Sequence, residues 1–180
     1  MKINKQRAAG FTLIEALITI SVAAILATLA VPSFTQMLEN NRVSAASNEF
    51  LTTMMYARSE AVKRSIAVTI CTSTNGSSCS TALDDYSKGW LVFTDCNEDG
   101  QLTTAATACD LDGDGTNDPD LLLRVNGPTL QVSVTSGQAP DSFTYLFSGR
   151  SQSASFSIGP DASTTTKTIS VATTGRVRLQ

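Results

Sequence analysis

The chain contains no histidine among its 180 residues. Histidine is the usual general base at neutral pH and the commonest zinc ligand, so its absence argues against most hydrolase and metalloenzyme mechanisms. The sequence also lacks a motif of the kind that activates a side chain as a nucleophile. We therefore predict no catalytic residues and no enzymatic activity.

Charge is missing from one long segment, since residues 16–38 contain no Asp, Glu, Lys or Arg. The apolar stretch 11–31 has about 20 residues, the number that a helix needs to cross the hydrocarbon core of a bilayer. Three basic residues precede it within the first ten positions. Positive charges hold a terminus on the cytoplasmic side, so we predict a single span with the rest of the chain outside.

A glycine precedes this apolar stretch, in the order Gly10-Phe11-Thr12-Leu13-Ile14-Glu15. In an ordinary secretory signal peptide, cleavage follows the apolar region at small residues. Cleavage after Gly10 would instead keep the apolar segment in the mature chain and expose a new amine on Phe11. Glu15 is the unexpected residue, because a carboxylate deep in a bilayer costs about 2.5 to 3.5 kcal/mol on insertion scales.

This order of residues resembles the type III signal of type IV pilins and type II secretion pseudopilins. The resemblance implies that residues 1–10 are a leader, which a prepilin peptidase removes before it methylates Phe11. It also implies that Glu15 pairs with the terminal amine of a neighbouring subunit during filament assembly. The alternative is a plain membrane anchor, with Glu15 among the lipid headgroups.

One globular domain is expected beyond the span, since about 110 to 120 residues remain, a usual size for a single core. The net charge of the full chain is −3, and removal of the three basic leader residues makes it −6. Such an acidic mature chain is not typical of a generic nucleic-acid binder.

The four cysteines lie beyond the predicted span, in what should be an oxidising compartment. They are Cys71, Cys79, Cys96 and Cys109. Four cysteines allow three connectivities, and pairing between sequence neighbours is the simplest. A metal site is disfavoured because there is neither CxxC spacing nor histidine. We predict structural disulfides.

From Pro32 the pattern remains helical, with apolar residues recurring at steps of three and four. These residues are Val43, Ala46, Phe50, Met54, Ala57 and Ala61. They predict one helix face that packs on the globular domain, and interspersed charges mark residues 32–64 as the amphipathic half of the helix. We predict a helix from Phe11 to about Lys63, kinked at Pro32, because proline removes a backbone hydrogen bond.

After Arg64 the sequence changes to β-branched runs separated by Gly, Ser, Thr and Asn. The predicted strands are 66–72, 90–94, 121–125, 131–135, 142–147, 154–158, 168–172 and 176–179. Short connections between most of them favour antiparallel pairing. The predicted fold class is α+β and type IV pilin-like: a long N-terminal helix packed on a small, mostly antiparallel β-domain over residues 65–180.

A narrower resemblance lies within the β-domain. Residues 89–100 read Gly-Trp-Leu-Val-Phe-Thr-Asp-Cys-Asn-Glu-Asp-Gly, residues 121–124 read Leu-Leu-Leu-Arg, and residues 175–178 read Gly-Arg-Val-Arg. Together they resemble the GspH/FimT/FimU class of minor pilins and pseudopilins, in which a strand with Trp and Phe leads into an Asp-Asn-Gly turn.

Ten carboxylates lie between Asp84 and Asp120, and eight of them fall in the acidic loop that joins the predicted strands 90–94 and 121–125. Residues 95–100 and 110–115 each place Asp or Asn at alternate positions before a glycine, as in the first half of a calcium loop. The glutamate expected at the twelfth position is replaced by Ala106 and Leu121, respectively. For residues 95–100, we favour a turn of the kind found in the family.

For residues 110–115, calcium and a solvated acidic turn both remain open. Five aspartates fall within eleven residues, and a divalent ion would relieve their repulsion. The candidate ligands are Asp110, Asp112, Asp114, Asn117 and Asp118. Calcium is the single cofactor that the sequence suggests.

The segment Gly175-Arg176-Val177-Arg178 is the last motif. Residues two apart in a strand point to the same side, so both guanidinium groups can grip phosphates. FimT-like minor pilins carry a GRxR motif here that binds DNA during natural transformation, and the resemblance implies binding of double-stranded DNA. Lys167 and Arg150 are further candidates. The alternative is a solvated edge strand whose arginines discourage aggregation.

Two classes of function follow from the resemblance. One is a minor pilin in the tip or priming complex of a type IV pilus, and the other is a binding module for DNA on the same scaffold. A type II secretion pseudopilin would share every N-terminal feature. The implied partners are other major and minor pilins, the prepilin peptidase and the inner-membrane assembly platform. The implied location is the inner membrane, with the β-domain in the periplasm, and the cell surface after assembly.

Overall fold

The computed structural model describes residues 10–81, 85–105, 109–129, 131–137, 141–160 and 166–180, without the side chains of residues 29–32. The chain divides into two units, Met1–Glu39 and Asn40–Gln180. Helix α1, Leu13–Arg64, contributes residues to both. Its observed bounds confirm the predicted helix to within two residues at each end. The kink at Pro32 stays a prediction.

The first unit presents apolar side chains to its surroundings. Leu13 is 79% exposed and Ile20 67% exposed, and one 18-residue window has a mean hydropathy of 2.3 with none of it buried. By length and composition, this helix is able to cross a membrane.

Hydroxyl groups within the apolar segment find partners on the helix itself. Thr19 donates to the carbonyl of Ala16 at 2.9 Å, and Ser21 donates to that of Leu17 at 2.7 Å. Bonding of this kind removes the desolvation cost that a free hydroxyl would carry in lipid. The few polar residues of the segment are therefore compatible with a span.

Among the residues that the structure describes, the second unit has eight short strands after α1. They are β1 Val68–Thr72, β2 Trp90–Thr94, β3 Leu122–Asn126, β4 Ser133–Ser136, β5 Ser142–Tyr145, β6 Ala154–Gly159, β7 Lys167–Val171 and β8 Val177–Leu179. A short 3-10 helix, Tyr86–Lys88, precedes β2. Each observed strand overlaps one that the sequence predicts.

The strands form two four-stranded sheets, in the orders β3-β2-β1-β5 and β4-β6-β7-β8. Every pairing between them is antiparallel, which confirms that prediction. In the second sheet, β8 pairs only with β7 among the described strands, with Ser170 opposite Arg178. The chain's last strand is therefore an edge strand.

The core lies between the second half of α1 and the sheets. All six residues of the predicted apolar face of α1 are buried, with at most 5% exposure. They join one cluster with side chains of both sheets, including Trp90, Phe143 and Phe156. The predicted fold class, a long helix packed on an antiparallel β-domain, is confirmed.

Differences at the strand ends have local causes. Ser65 adopts a left-handed backbone conformation directly after α1 (φ 57°), so the chain turns there and β1 begins at Val68 rather than at residue 66. The 142–147 strand ends early, at Tyr145, because the amide of Gly149 bonds to the carbonyl of Leu146 at 2.8 Å and closes a turn.

Two disulfides join sequence neighbours. Cys71 and Cys79 are linked with their Cα atoms 5.6 Å apart, and Cys96 and Cys109 with theirs 5.3 Å apart. The first packs with Leu91 and Phe93 in a small satellite core. The second closes a loop between β2 and β3, where few apolar side chains are available to hold the chain.

Candidate functional site

The predicted processing position lies just before α1. Residues 1–9 of the predicted leader lie outside the described part of the chain. Gly10 is exposed and Phe11 is 87% exposed, so the peptide bond between them is accessible. A peptidase that cuts after glycine would meet no steric obstacle from the described residues.

Thr12 caps the helix that follows. Its Oγ1 accepts a hydrogen bond from the backbone N–H of Glu15 at 3.3 Å, and its carbonyl accepts one from Ala16 at 3.2 Å. Threonine at this position satisfies donors that a helix start leaves free. The carboxylate of Glu15, in the first turn, stays exposed near the positive end of the helix dipole. It is therefore available to a partner.

The first aspartate motif forms a closed turn. Asp95 is fully buried, and its two oxygens accept hydrogen bonds from the hydroxyl of Thr69 and from the amides of Asp99 and Gly100 at 2.7 to 3.1 Å. Burial raises the pKa of the Asp95 carboxyl, and the Thr69 and Gly100 hydrogen bonds oppose this. The side chain therefore organises a turn, in agreement with the interpretation favoured from the sequence.

The second aspartate motif brings together three of its predicted ligands. One carboxylate oxygen each from Asp110, Asp112 and Asp118 lies within 4.8 Å of the others. Asp114 is used differently, because it accepts hydrogen bonds from the hydroxyl and amide of Thr116. Asn117 is exposed in the same loop.

Backbone amides of the loop donate hydrogen bonds to two of its carboxylates. The amides of Gly115 and Gly113 donate to Asp110 at 2.8 and 2.6 Å, and these bonds lower the pKa of its carboxyl. The Thr116 hydroxyl and amide likewise lower the pKa of Asp114. The lowered pKa values of Asp110 and Asp114 favour their ionised forms, and a hard cation prefers ionised carboxylate ligands.

Calcium at this loop remains a prediction, and isothermal titration calorimetry tests it. A site of this kind should give a saturable isotherm with a Kd of about 10⁻⁴ to 10⁻³ M, as in extracellular calcium modules. Asp118→Asn should weaken it, while Glu98→Gln, outside the three-carboxylate group, should not. The absence of calcium uptake at millimolar concentration would identify the loop as a solvated acidic turn.

The C-terminal motif forms the last hairpin of the second sheet. The amide of Gly175 bonds to the carbonyl of Ala172 at 2.7 Å, and the amide of Ala172 to the carbonyl of Arg176 at 3.0 Å. Val177 and Leu179 pack against the main core, so Arg176 and Arg178 project to the opposite side, where both are exposed. The two arginines therefore lie on one side of the chain, as predicted, and alternate with Val177 and Leu179 on the other.

A shallow groove runs beside these arginines. It has a volume of about 400 Å³ and is lined by Ser170, Val171, Ala172, Thr174, Arg176, Arg178 and Gln180. None of these side chains is aromatic or acidic. The groove offers hydroxyl, amide and guanidinium donors, which suit an anionic backbone rather than stacked bases.

The two further candidates occupy different places. Arg150 is exposed and adjoins the hairpin, because the amide of the next residue, Ser151, bonds to the carbonyl of Thr173 at 3.3 Å. Lys167 lies on the other face of the sheet, where its ammonium donates to Ser44 of α1 at 3.0 Å. The structure therefore places Arg150 beside the motif and separates Lys167 from it.

Sequence reasoning missed one residue at this site, Arg58. Its Nε donates to the carbonyl of Gly149 and its Nη2 to that of Thr174, both at 3.0 Å. The sequence identified Arg58 only as one of several charges on the amphipathic half of the helix. One sequence pattern could have indicated this site: the Gly-Arg dipeptide occurs twice, as Gly149-Arg150 and Gly175-Arg176. Glycine is favoured where the backbone must approach another group closely.

Comparison with protein families settles the class of protein. The model of the family described as type II transport protein GspH matches residues 46–175, which is most of the chain. The chain belongs to the GspH family. A second model, the prokaryotic N-terminal methylation motif, matches residues 5–31. The GspH match ends at Gly175, so it says nothing about Arg176 and Arg178.

Solved structures agree on the fold. The type IV minor pilin FimU of Pseudomonas aeruginosa is 22% identical in one crystal form, with a TM-score of 0.55 over 79% of this chain and 90% of FimU. A second crystal form of FimU gives 21% identity and a TM-score of 0.52, over 76% and 91% of the two chains. No curated protein sequence matches the chain significantly.

The minor pseudopilin EpsH of the Vibrio cholerae type 2 secretion system is also similar, at 11% identity and a TM-score of 0.45, covering 77% of this chain and 96% of EpsH. At their identities, the two FimU structures show the fold alone. Membership of the GspH family implies assembly with other pilins and processing by a prepilin peptidase, and the apolar helix indicates membrane anchoring.

Proposed function

We propose that this GspH-family protein is a minor pilin of a type IV pilus, which takes part in assembly at the pilus tip. Before assembly it resides in the inner membrane through residues 11–31, with residues 65–180 in the periplasm. The observation that supports an assembly role is the exposed Glu15 carboxylate in the first turn of an apolar helix, directly after the accessible Gly10–Phe11 bond.

Once the leader is removed, Phe11 would carry a positive amine close to the membrane-embedded helix start. Neither that amine nor the Glu15 carboxylate is stable alone in lipid, and pairing between subunits lowers the cost of both. Assembly therefore gains free energy from two groups that the isolated subunit cannot satisfy.

Glu15→Ala should leave membrane insertion unchanged and lower incorporation into sheared filaments by at least about tenfold, because the amine of a neighbouring subunit loses its partner. Glu39→Ala is the matched control, since it removes an exposed carboxylate from the same helix. Quantitative immunoblotting of membrane and filament fractions measures both. Normal incorporation of the Glu15 variant would contradict the pairing role.

We further propose that the subunit binds extracellular double-stranded DNA through Arg176 and Arg178, with Arg150 beside them. Three features support this: the exposed guanidinium pair on one side of an edge strand, the groove without acidic side chains, and the net charge of residues 121–180, which have five basic and two acidic residues. Binding through phosphates should depend strongly on salt.

Arg176→Ala/Arg178→Ala should weaken duplex binding at low salt by at least about tenfold and reduce the slope of log K against log[salt] by about 1.8, or about 0.9 for each lost phosphate contact. Arg42→Ala/Arg124→Ala also removes two positive charges, but from other elements, and should change neither quantity comparably. Fluorescence anisotropy with the full-length protein in micelles measures both quantities. A wild-type protein that binds no DNA at low salt would refute this function.

A pseudopilin of a type II secretion system is the second candidate, favoured by the description of the matched family. The two candidates predict different phenotypes. Deletion of a minor pilin should reduce surface pili, whereas deletion of a pseudopilin should leave secreted enzymes in the periplasm. Counting pili and assaying culture supernatant in the same deletion strain separates them.

A further inference from the structure

Two turns of the second unit are built alike and lie against each other. In each, a glycine in the left-handed conformation precedes an exposed arginine: Gly149 (φ 73°) before Arg150, and Gly175 (φ 74°) before Arg176. Each glycine amide closes its turn, onto Leu146 at 2.8 Å and onto Ala172 at 2.7 Å. The two glycine backbones are in direct contact, since a Cβ on Gly175 would overlap the carbonyl of Gly149.

Arg58 joins the two turns from α1. Its half-buried guanidinium bonds through Nε to the carbonyl of Gly149 and through Nη2 to that of Thr174. One rigid, planar group therefore binds one carbonyl from each turn. The side chain of Val62, one turn further along α1, fills the remaining space against Gly149.

We propose that Arg58 is the positioning residue of the DNA site, and that it holds Arg150 and Arg176 side by side so that both reach the same phosphate backbone. This inference rests on the DNA-binding function proposed above. The Nε–H of Arg58 and one N–H of Nη2 are engaged by carbonyls, so these two donors are not available to a phosphate. The role of Arg58 is to make one continuous surface from two turns that are distant in sequence.

The proposal depends on the shape of the guanidinium group and not only on its charge. Lysine would keep the positive charge of Arg58, but a single ammonium on a flexible stem cannot reproduce two donors at a fixed angle. Arg58→Lys therefore separates positioning from general electrostatic attraction. Lys63→Gln is the matched control, since Lys63 lines the same stretch of helix surface as Arg58 and is an exposed cation without a bond to either turn.

The test compares wild type, Arg58→Lys, Arg58→Gln and Lys63→Gln as full-length protein in neutral detergent micelles, with a 30-base-pair duplex as probe. Both Arg58 variants should weaken binding about fivefold, while Lys63→Gln should change it less than twofold. In both Arg58 variants, the salt slope should also fall by about 0.9, because one phosphate contact is lost. A variant that merely unfolds part of the population would keep the wild-type slope.

Hydrogen exchange in the free protein gives a second readout. Both Arg58 variants should speed exchange of the Gly175 and Ser151 amides at least about tenfold and leave the amides of β6 unchanged. Wild-type binding by Arg58→Lys, or equal losses in Arg58→Gln and Lys63→Gln, would overturn the inference. If the wild type binds no DNA, the proposed function fails instead, and unchanged exchange would then show that Arg58 does not hold the turns together.

Discussion

Phe50→Ala is expected to lower the free energy of unfolding of the second unit by about 4 kcal/mol. Phe50 is fully buried on α1, and its ring meets those of Tyr86, Trp90 and Phe156 edge to face, with centroids 5.0 to 5.3 Å apart. Truncation removes the apolar area of the ring, leaves a cavity and loses three aromatic contacts.

Met55→Ala is the matched control, because Met55 lies on the same helix but is 56% exposed, and it should cost less than about 0.5 kcal/mol. The chain has one tryptophan, Trp90, which packs against Phe50, so its fluorescence during urea unfolding measures both variants directly. A loss below about 1 kcal/mol for Phe50→Ala would contradict a core built on this face of α1.

The helix face could be predicted because its signal is local. Apolar residues three and four positions apart in sequence must share a face of any helix, and a face that wide has to be buried. The same holds for the strands, whose β-branched runs end at turn residues. The observed strands differ from the predicted ones only at their ends, where the backbone conformation of a single residue, such as Ser65, sets the boundary.

The arrangement of the strands could not be predicted in this way. β1 pairs with β2, the next strand, but also with β5, so that Val68 lies opposite Tyr145. Nothing in the residues near Val68 specifies that partner, because the pairing depends on which apolar faces remain to be covered after the helix is in place. The division into two sheets follows from the same long-range packing.

The candidate DNA site was likewise predictable from local sequence only in part. The alternation that exposes Arg176 and Arg178 is local, and it was predictable. Lys167 lies close in sequence, but it faces the helix, because it pairs with Ile158 on the buried side of β7. Arg58 was missed because its partners are backbone carbonyls 91 and 116 residues away, which no side-chain pattern encodes.

Gly175→Ala is expected to disrupt the C-terminal hairpin and abolish most DNA binding, although both arginines of the motif remain. The residue has φ 74°, a conformation that alanine adopts only with strain. Its new Cβ would also overlap the carbonyl of Gly149 and lie 3.0 Å from Nε of Arg58. Because one of these neighbours is backbone, relief requires the two turns to separate, at a cost of about 3 kcal/mol or more.

Substitutions at two other glycines separate the contribution of backbone strain from that of the close contact with Gly149. Gly113 has a similar φ of 83° but open space around it, so Gly113→Ala should cost only about 1 kcal/mol, from backbone strain alone. Gly127 has neither positive φ nor a close neighbour, and Gly127→Ala should be close to neutral. Urea unfolding ranks the three variants, and anisotropy compares their DNA affinities.

If close approach at Gly175 positions the arginines, only Gly175→Ala should lose DNA affinity, by about as much as the double arginine variant. Equal stability losses at Gly175 and Gly113 would show that conformation alone matters and that the two turns are free to separate. Wild-type affinity in Gly175→Ala would mean that Arg176 and Arg178 bind without support from Gly149. Gly175 would then hold the C-terminal hairpin against the Gly149 turn, and Arg58 bonds that turn and the carbonyl of Thr174 to α1.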